Sequence, residues 1–418
     1  MLHHRLIWTA VTFNIFEGCP VLLKLHAMSL KGTMINRSKV VTVFLLLSIT
    51  SVVKAQTSQT VTVGPPETVM TPTQRTNAGL SQVFPDGNLG VFQRNGLYNV
   101  WAPRGDTDNS EGLTLTDLNN WLSGLTPITT TTNISHGGAG SFDQNYSGGG
   151  AVYYDSATGI LIQLYHGEFW YNPSVFYAGL GLAYSNDLGV TWNKLGEVIS
   201  PQTARSGNCQ VDLGAGPLVV VGTFLYTYFV DESTGCNGGN FNIAVARAPI
   251  ASVIAAAQAG TPFTSGAGTL FMKYTGSGNW NGNGVTDLAN PQNGGGAFAA
   301  LTTGNSYFVP NVAFNSFLNQ YVLVYSNSFA SLEVRFSSDG LTWGSPTTIV
   351  SGGGVPPNGI FYPTLFNTSG GDPETLGSTF YVYYVDPFGD WSQSNLKRVQ
   401  VTLGNRPAPP TITSIIVR

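Results

Sequence analysis

Charged side chains are scarce. Lys and Arg together number 18 and Asp and Glu 22 in 418 residues, for a formal charge of -4. No basic run occurs, so the chain carries no electrostatic footprint for nucleic acid and no polybasic contact for a membrane surface. The five histidines are scattered, and neither a CxxC pair nor an HExxH helix is present, so no metal and no cofactor are expected. Cysteine is nearly absent: Cys19 falls in the leading segment, which leaves Cys209 and Cys236. In an exported, oxidising setting these two read as one disulfide. What is plentiful is Gly, Ser, Thr, Asn and aromatic residues, a mixture that favours many short strands joined by tight turns over long solvated helices.

The start of the chain reads as targeting sequence. MINRSKVVTVFLLLSITSVVKAQ, from Met34, places Arg37 and Lys39 before an apolar run and closes on the small-residue ending Val53-Lys54-Ala55. A signal peptide over residues 34–55 is expected, cleaved after Ala55. The run from Val40 to Val53 is short for a membrane span, and an uncleaved anchor is the alternative. Residues 1–33 fit nothing in a signal peptide and read as a gene-model extension, with Met28 or Met34 as the translation start. The protein is therefore expected to be secreted, extracellular or periplasmic, monomeric, and without membrane contact after cleavage. Residues 56–80 read as a lead-in, and the proline-rich residues 405–418 as a linker or the start of an incomplete segment.

Between these ends the chain repeats. Five stretches share a β-rich aromatic pattern: GLYNVWAPRGD from Gly96, GILIQLYHGEF from Gly159, TFLYTYFVDES from Thr223, NQYVLVYSNSF from Asn319 and TFYVYYVDPF from Thr379. Each has a candidate strand and turn before it, and most have a third strand behind, as in LGLAYS, FNIAVARA, SLEVRFS and NLKRVQVTL. Short antiparallel strands repeated radially are the logic of an all-β propeller, here of five blades over residues 81–404. One interval is longer. It holds IASVIAAAQAG, a short helix from Ile250, and GTLFMKYTGSGNWNGNG, Gly268 to Gly284, which read as a functional loop or lid, with a sixth blade as the alternative.

Two copies of another motif, SNDLGVTW (Ser185 to Trp192) and SSDGLTW (Ser337 to Trp343), follow the third strands of the second and fourth repeats. Asp187 and Asp339 suit a turn, where a short carboxylate accepts backbone N–H bonds, Gly189 and Gly340 permit positive φ, and Trp192 and Trp343 supply packing area. Ser185 and Ser337 complete the pattern. These stretches resemble the Asp-box of sialidase-like propellers with BNR repeats. The span from about Asp86 to Leu403 resembles the five-bladed glycoside hydrolases of the arabinanase, xylosidase and fructosidase type.

The resemblance implies an extracellular carbohydrate-active propeller with its ligand on the face where first strands begin and second strands end. On that upper face the candidate catalytic residues are Glu168, Asp212 and Asp86. Glu168 ends a strongly apolar strand and is the expected general acid, while Asp86 occupies the first-blade position where an arabinanase-like hydrolase carries its base. Asp212 holds a comparable place in the third blade, and a third carboxylate can tune the acid through like-charge repulsion. The alternative for Glu168 is ordering a loop through Tyr165, His166 or a backbone amide, and for Asp86 and Asp212 it is holding a turn or accepting backbone N–H bonds. His166, Arg104, Asp106, Arg205, Asp231, Glu232, Asn311, Tyr362 and Asp386 are candidate substrate contacts, and Lys273 and Trp280 candidate lid contacts. Trp101, Trp170, Trp280 and Tyr362 offer flat apolar faces for sugar rings, with blade packing as the alternative. Two departures count: APRG does not match the Arg-Ile-Pro signature of sialidases, and the second blade begins YSGGGAVYY with no acid at the strand start. Sialidase activity is not expected. The expected partner is an oligosaccharide or polysaccharide, hydrolysed by a glycosidase or held by a non-catalytic glycan-binding propeller.

Overall fold

In the computed structural model, residues 60–404 are described apart from 106–108, 131–133, 135, 215, 232–240, 264–269 and 303–306. The expected gene-model extension, signal peptide and C-terminal tail lie outside the described residues, as do Asp106, Glu232 and Cys236. Among the described residues no helix is long and apolar enough to cross a membrane.

Five largely antiparallel sheets follow one another as five blades. Blade one comprises Gly90–Arg94, Leu97–Arg104, Asn109–Leu115 and Thr126–Ile128. Blade two comprises Tyr146–Asp155, Ile160–Asn172, Val175–Ser185 and Asn193–Ile199. Blade three has a split inner strand, Leu213–Gly214 and Val219–Val221, then Phe224–Asp231 and Ile243–Pro249. Blade four comprises Tyr307–Asn315, Gln320–Asn327, Ser331–Ser337 and Thr347–Ser351. Blade five is built on Gly359–Phe366, Thr379–Phe388 and Asn395–Leu403.

The strands read as nearly continuous apolar runs because both faces of each blade are covered. In the second strand of blade two, Ile160, Ile162 and Leu164 enter the core shared with blade three, while Leu161 and Tyr165 enter the core shared with blade one. Three further cores lie between blades three and four, four and five, and five and one. Each of the five holds at least ten buried apolar side chains. At about 1.5–3 kcal/mol per fully buried large side chain, as an upper estimate, opening one interface forfeits roughly 15 kcal/mol or more. That matches or exceeds the ~5–15 kcal/mol by which a domain is stable, so the ring has to close.

Closure uses the lead-in. Val61–Val63 pairs antiparallel with Val401–Leu403, and Glu67–Met70 with Leu396–Arg398, so the outer edge of blade five comes from the other end of the chain. The propeller therefore begins about twenty residues before the sequence-based boundary at 81. A one-and-a-half-turn helix, Pro72–Asn77, follows, started by a Thr71/Gln74 capping box. Its Arg75 is fully buried and donates to the carbonyls of Phe84 and Trp391, both at 3.1 Å, which clasps blade one to blade five.

The long interval is neither lid nor sixth blade. Its helix, Ile250–Ala259, ends at Gly260 in the left-handed conformation and buries Val253, Ile254 and Ala257 in the core between blades two and three. Met272–Lys273 and Gly282–Asn283 then add the outer strands of blade three.

Strand register decides which end of a blade carries the Ser-x-Asp turns. Ser185 lies opposite Leu161, and Ala178 opposite Glu168, so Ser185, where the turn of Asp187 begins, sits about 23 Å along blade two from Glu168 at 3.3 Å per residue. In each turn the serine hydroxyl donates to the aspartate and accepts from the glycine N–H, at 2.7 Å for Gly189 and 2.9 Å for Gly340. Asp187 also accepts from the Thr191 N–H and hydroxyl, and Asp339 from those of Thr342. Each turn packs on the preceding blade: Trp192 meets Trp101 edge to face at 5.3 Å, and Trp343 meets Tyr228 at 6.0 Å.

Two outcomes are expected. Removing residues up to Met70 bares the edge strand of blade five and should abolish cooperative urea unfolding. Ser185→Ala orphans the buried Gly189 N–H and should lower stability by about 1–3 kcal/mol in urea titrations; an unchanged midpoint would rule out the stapling role.

Candidate functional site

The second strand of blade two runs for 13 residues, Ile160–Asn172. Its inner partner stops at Tyr146 opposite Glu168, but its outer partner stays paired up to Val175 opposite Asn172, so a two-stranded hairpin projects above the blade. Alternate side chains of a strand share a face, which aligns His166, Glu168 and Trp170. They are joined in series: His166 Nε2 meets Glu168 Oε1 at 3.0 Å, and the Trp170 indole N–H donates to Glu168 Oε2.

Asp212 reaches the same point from blade three. Val211 crosses to blade two, its carbonyl accepting from the Ala178 N–H at 2.8 Å and its N–H donating to Phe176 at 3.0 Å. Asp212 Oδ1 then lies 3.9 Å from His166 Nε2, and Oδ2 accepts from the Gln210 amide at 3.3 Å. Oδ1 is buried and has no hydrogen-bond partner among the described residues. His166 Nδ1 donates to the Leu213 carbonyl at 3.0 Å, so the second nitrogen faces two carboxylates.

That geometry sets the charges. Burial by itself disfavours the charged imidazole, but the Glu168 hydrogen bond, the Asp212 and Glu168 charges and the Leu213 carbonyl outweigh it and push the His166 pKa up to about 9. Burial raises the Asp212 carboxyl most, and the Glu168 and Asp231 charges add to it. The His166 charge and the Gln210 amide offset part of this, leaving Asp212 at about 6. Near neutral pH an imidazolium therefore sits between Asp212 and Glu168.

Asp86 belongs to a different cluster. It accepts a hydrogen bond from the Tyr362 hydroxyl at 3.1 Å, across the seam between blades one and five. Tyr362 has a φ of 54°, within a bulge where the register shifts between Phe361 and Thr364. Such bulges re-aim side chains near binding sites. Glu168 and Asp212 thus share one imidazole, while Asp86 is held from another blade.

Several expected contacts have other duties. Asp231 accepts from the Gln202 N–H at 3.0 Å and so holds the loop that leads to Asp212. Arg205 donates to the Gly140 carbonyl at 3.1 Å and lies 4.1 Å over the Phe169 ring. Asn311 is buried and accepts from the Leu365 N–H, tying blade four to blade five beside an axial cavity of about 100 Å³. Asp386 pairs with Lys397 at 2.7 Å. Arg104 ends the second strand of blade one, half-buried. Lys273, expected in a lid, is fully buried and donates to the Ser200 carbonyl at 2.6 Å. Trp280 packs against Tyr226, Tyr274 and Arg247 on the outer part of blade three, and Trp101 is fully buried. Cys209 is in the loop before Asp212, and its expected partner Cys236 lies outside the described residues.

Two features escaped the sequence reading. Glu197, a lone acid in an apolar outer strand, is buried, accepts from the Tyr177 and Ser200 hydroxyls at 2.6 and 2.8 Å, and is pushed up to about 8, by burial above all. The second feature is the reason for SGGG: a Cβ on Gly150 would meet the Asn88 carbonyl at 1.9 Å, so the inner strands of blades one and two touch through backbone and leave no room for a carboxylate there.

No family model matches the sequence, and no curated protein matches it. Among solved structures, the chain is similar to the catalytic domain of the Coprinopsis cinerea GH62 α-L-arabinofuranosidase (13% identity, TM-score 0.45, covering 81% of this chain and 97% of that one). It is similar also to a thermostable family-43 glycoside hydrolase (11% identity, TM-score 0.45, covering 78% and 94%). A third likeness is to the α-L-arabinofuranosidase PaAbf62A from Podospora anserina, solved in complex with cellotriose (9% identity, TM-score 0.42, covering 76% and 90%). At this distance the five-bladed fold stands on the chain's own sheet pairing.

The electrostatics make a pH prediction. Because the folded pKa of His166 exceeds the unfolded value of about 6.5, its contribution to stability is whole below about pH 6.5 and is lost as pH rises through about 9. Asp212, also raised, acts in the same direction at lower pH: its contribution is whole below about 3.9 and lost as pH rises through about 6. Urea midpoints should therefore decline across this range; His166→Gln should remove the His166 share of the decline above about pH 6.5 and leave that of Glu197, which is lost as pH rises through about 8. An imidazole NMR titration should place His166 near 9, and a midpoint below about 6.5 would contradict the imidazolium assignment.

Proposed function

We propose that this protein is an exported carbohydrate-active propeller, a glycoside hydrolase whose upper-face carboxylates act on an oligosaccharide or polysaccharide. One observation carries the reading: the buried Oδ1 of Asp212, beside the His166–Glu168 pair, makes no hydrogen bond among the described residues. Glycoside hydrolysis uses one carboxylic acid that keeps a proton for the leaving oxygen and one ionised carboxylate that activates water or attacks the sugar. Asp212, at about 6, holds a proton in weakly acid solution, and its Oδ1 makes no hydrogen bond among the described residues. It therefore replaces Glu168 as the general acid. Glu168 has both oxygens engaged, by His166 and Trp170. Asp86, held by Tyr362, is the second carboxylate of this proposal. The signal peptide and a Cys209–Cys236 bridge belong to the same reading, as does kinship of the Ser-x-Asp turns with the Asp-box.

A non-catalytic glycan-binding propeller is the second reading, favoured by the crowded start of blade two, where Gly150 leaves no room for a carboxylate. Hydrolysis of a panel of arabinans, xylans, galactans and fructans tests both. Asp212→Asn should lower turnover by about a hundredfold or more, the usual worth of a general acid. Wild-type turnover should fall as pH rises through about 6, and His166→Gln should move that limb upward, because the imidazolium no longer holds Asp212 down. Unchanged hydrolysis by Asp212→Asn overturns the catalytic assignment, and a wild type that binds glycans but cleaves none selects the second reading.

A further inference from the structure

The projecting hairpin of blade two is unusual in its placement of aromatic side chains. Phe169 and Tyr171 point to one side, pack edge to face at 5.1 Å, and lie against the Arg205 side of the loop, with the guanidinium 4.1 Å from the Phe169 ring. Trp170 points to the other side, the side of His166 and Glu168, and is 47% exposed. An exposed tryptophan is ordinarily free to change rotamer. Here the indole N–H donates to Glu168 Oε2, which holds the ring, and the backbone N–H donates to Asn145 Oδ1 at 2.9 Å, which holds the strand that carries it. The Asn145 N–H in turn donates to the Glu168 carbonyl at 2.9 Å, which binds the base of the hairpin to the inner strand.

The exposure rises outward along this line, from 16% and 19% for the side chains of His166 and Glu168 to 47% for Trp170. Four residues of strand separate His166 from Trp170, about 13 Å at 3.3 Å per residue, which is more than one sugar ring. An aromatic ring whose orientation is fixed before the ligand arrives loses little entropy on stacking.

We propose that Trp170 is the outer stacking platform of an extended glycan site that begins at Asp212, so that the ligand is a chain of several sugars and not a single glycosyl unit. Glu168 is then a positioning residue: it holds the indole through one oxygen and His166 through the other. This inference rests on the carbohydrate-active reading and deepens it.

Oligosaccharides of two to five units from the arabinan, xylan, cellulose and galactan series serve as probes, with binding followed by calorimetry. Wild-type affinity should increase with length. Trp170→Ala should weaken the pentasaccharide by about tenfold, the worth of one aromatic stacking contact, and weaken the disaccharide less, while Trp170→Phe should restore most of the loss. Glu168→Leu should move the Trp170 indole N–H resonance away from its hydrogen-bonded position, and Glu168→Gln, which keeps an acceptor, should largely retain it. If the wild type binds none of these chains, the carbohydrate reading falls and this inference with it. If the wild type binds them and Trp170→Ala binds the pentasaccharide equally well, the inference alone falls. An indole resonance unmoved in Glu168→Leu removes the positioning role.

Discussion

Each blade is buried on both faces, and most of the structure follows from that constraint. A sheet with two apolar faces needs a neighbour on each side, and a ring is the arrangement in which every blade has two. Five cores lie between successive blades around the ring, and the lead-in contributes to two of them: Val61 and Val63 pack on the core between blades four and five, and Met70 is part of the core between blades five and one. The same demand recruits the long insertion, whose helix plugs the core between blades two and three and whose short strands extend blade three.

Packing of this kind leaves few places for charge. His166, Glu168 and Asp212 meet at one of them, a seam between blades two and three near the ring's upper rim. There the low dielectric strengthens each charge, and the histidine is stabilised as a cation by two carboxylates from different blades. Asp212 is the least satisfied of the three, with one buried oxygen that makes no hydrogen bond among the described residues.

Much of the fold was legible because its determinants are local and repeat. The recurring apolar strands gave the blade count, and the IASVIAAAQAG run gave its helix. The two Ser-x-Asp turns could be understood as turns from residue chemistry alone, since serine, aspartate, glycine and tryptophan each have a fixed task there. The lead-in was misread for the opposite reason. ETVM and VTV are too short to announce strands, and their partners lie more than three hundred residues away. Lys273 and Trp280 were misplaced because a Gly- and Asn-rich composition suggests an exposed loop, whereas backbone pairing pulled the segment onto blade three.

The sequence by itself determined which residues were available at strand ends: Glu168, Asp212, Asp86 and His166 were all identified from their positions relative to apolar runs. Only the tertiary structure decided which of them meet. Proximity of His166 to Asp212 depends on the angle between two blades and on the crossing of Val211 to blade two, and no periodicity in the chain encodes either. What each carboxylate is bonded to was likewise decided in three dimensions. Trp170 occupies one oxygen of Glu168, while Oδ1 of Asp212 makes no hydrogen bond among the described residues, so two carboxylates that look equivalent in sequence differ in what they have left to offer a ligand.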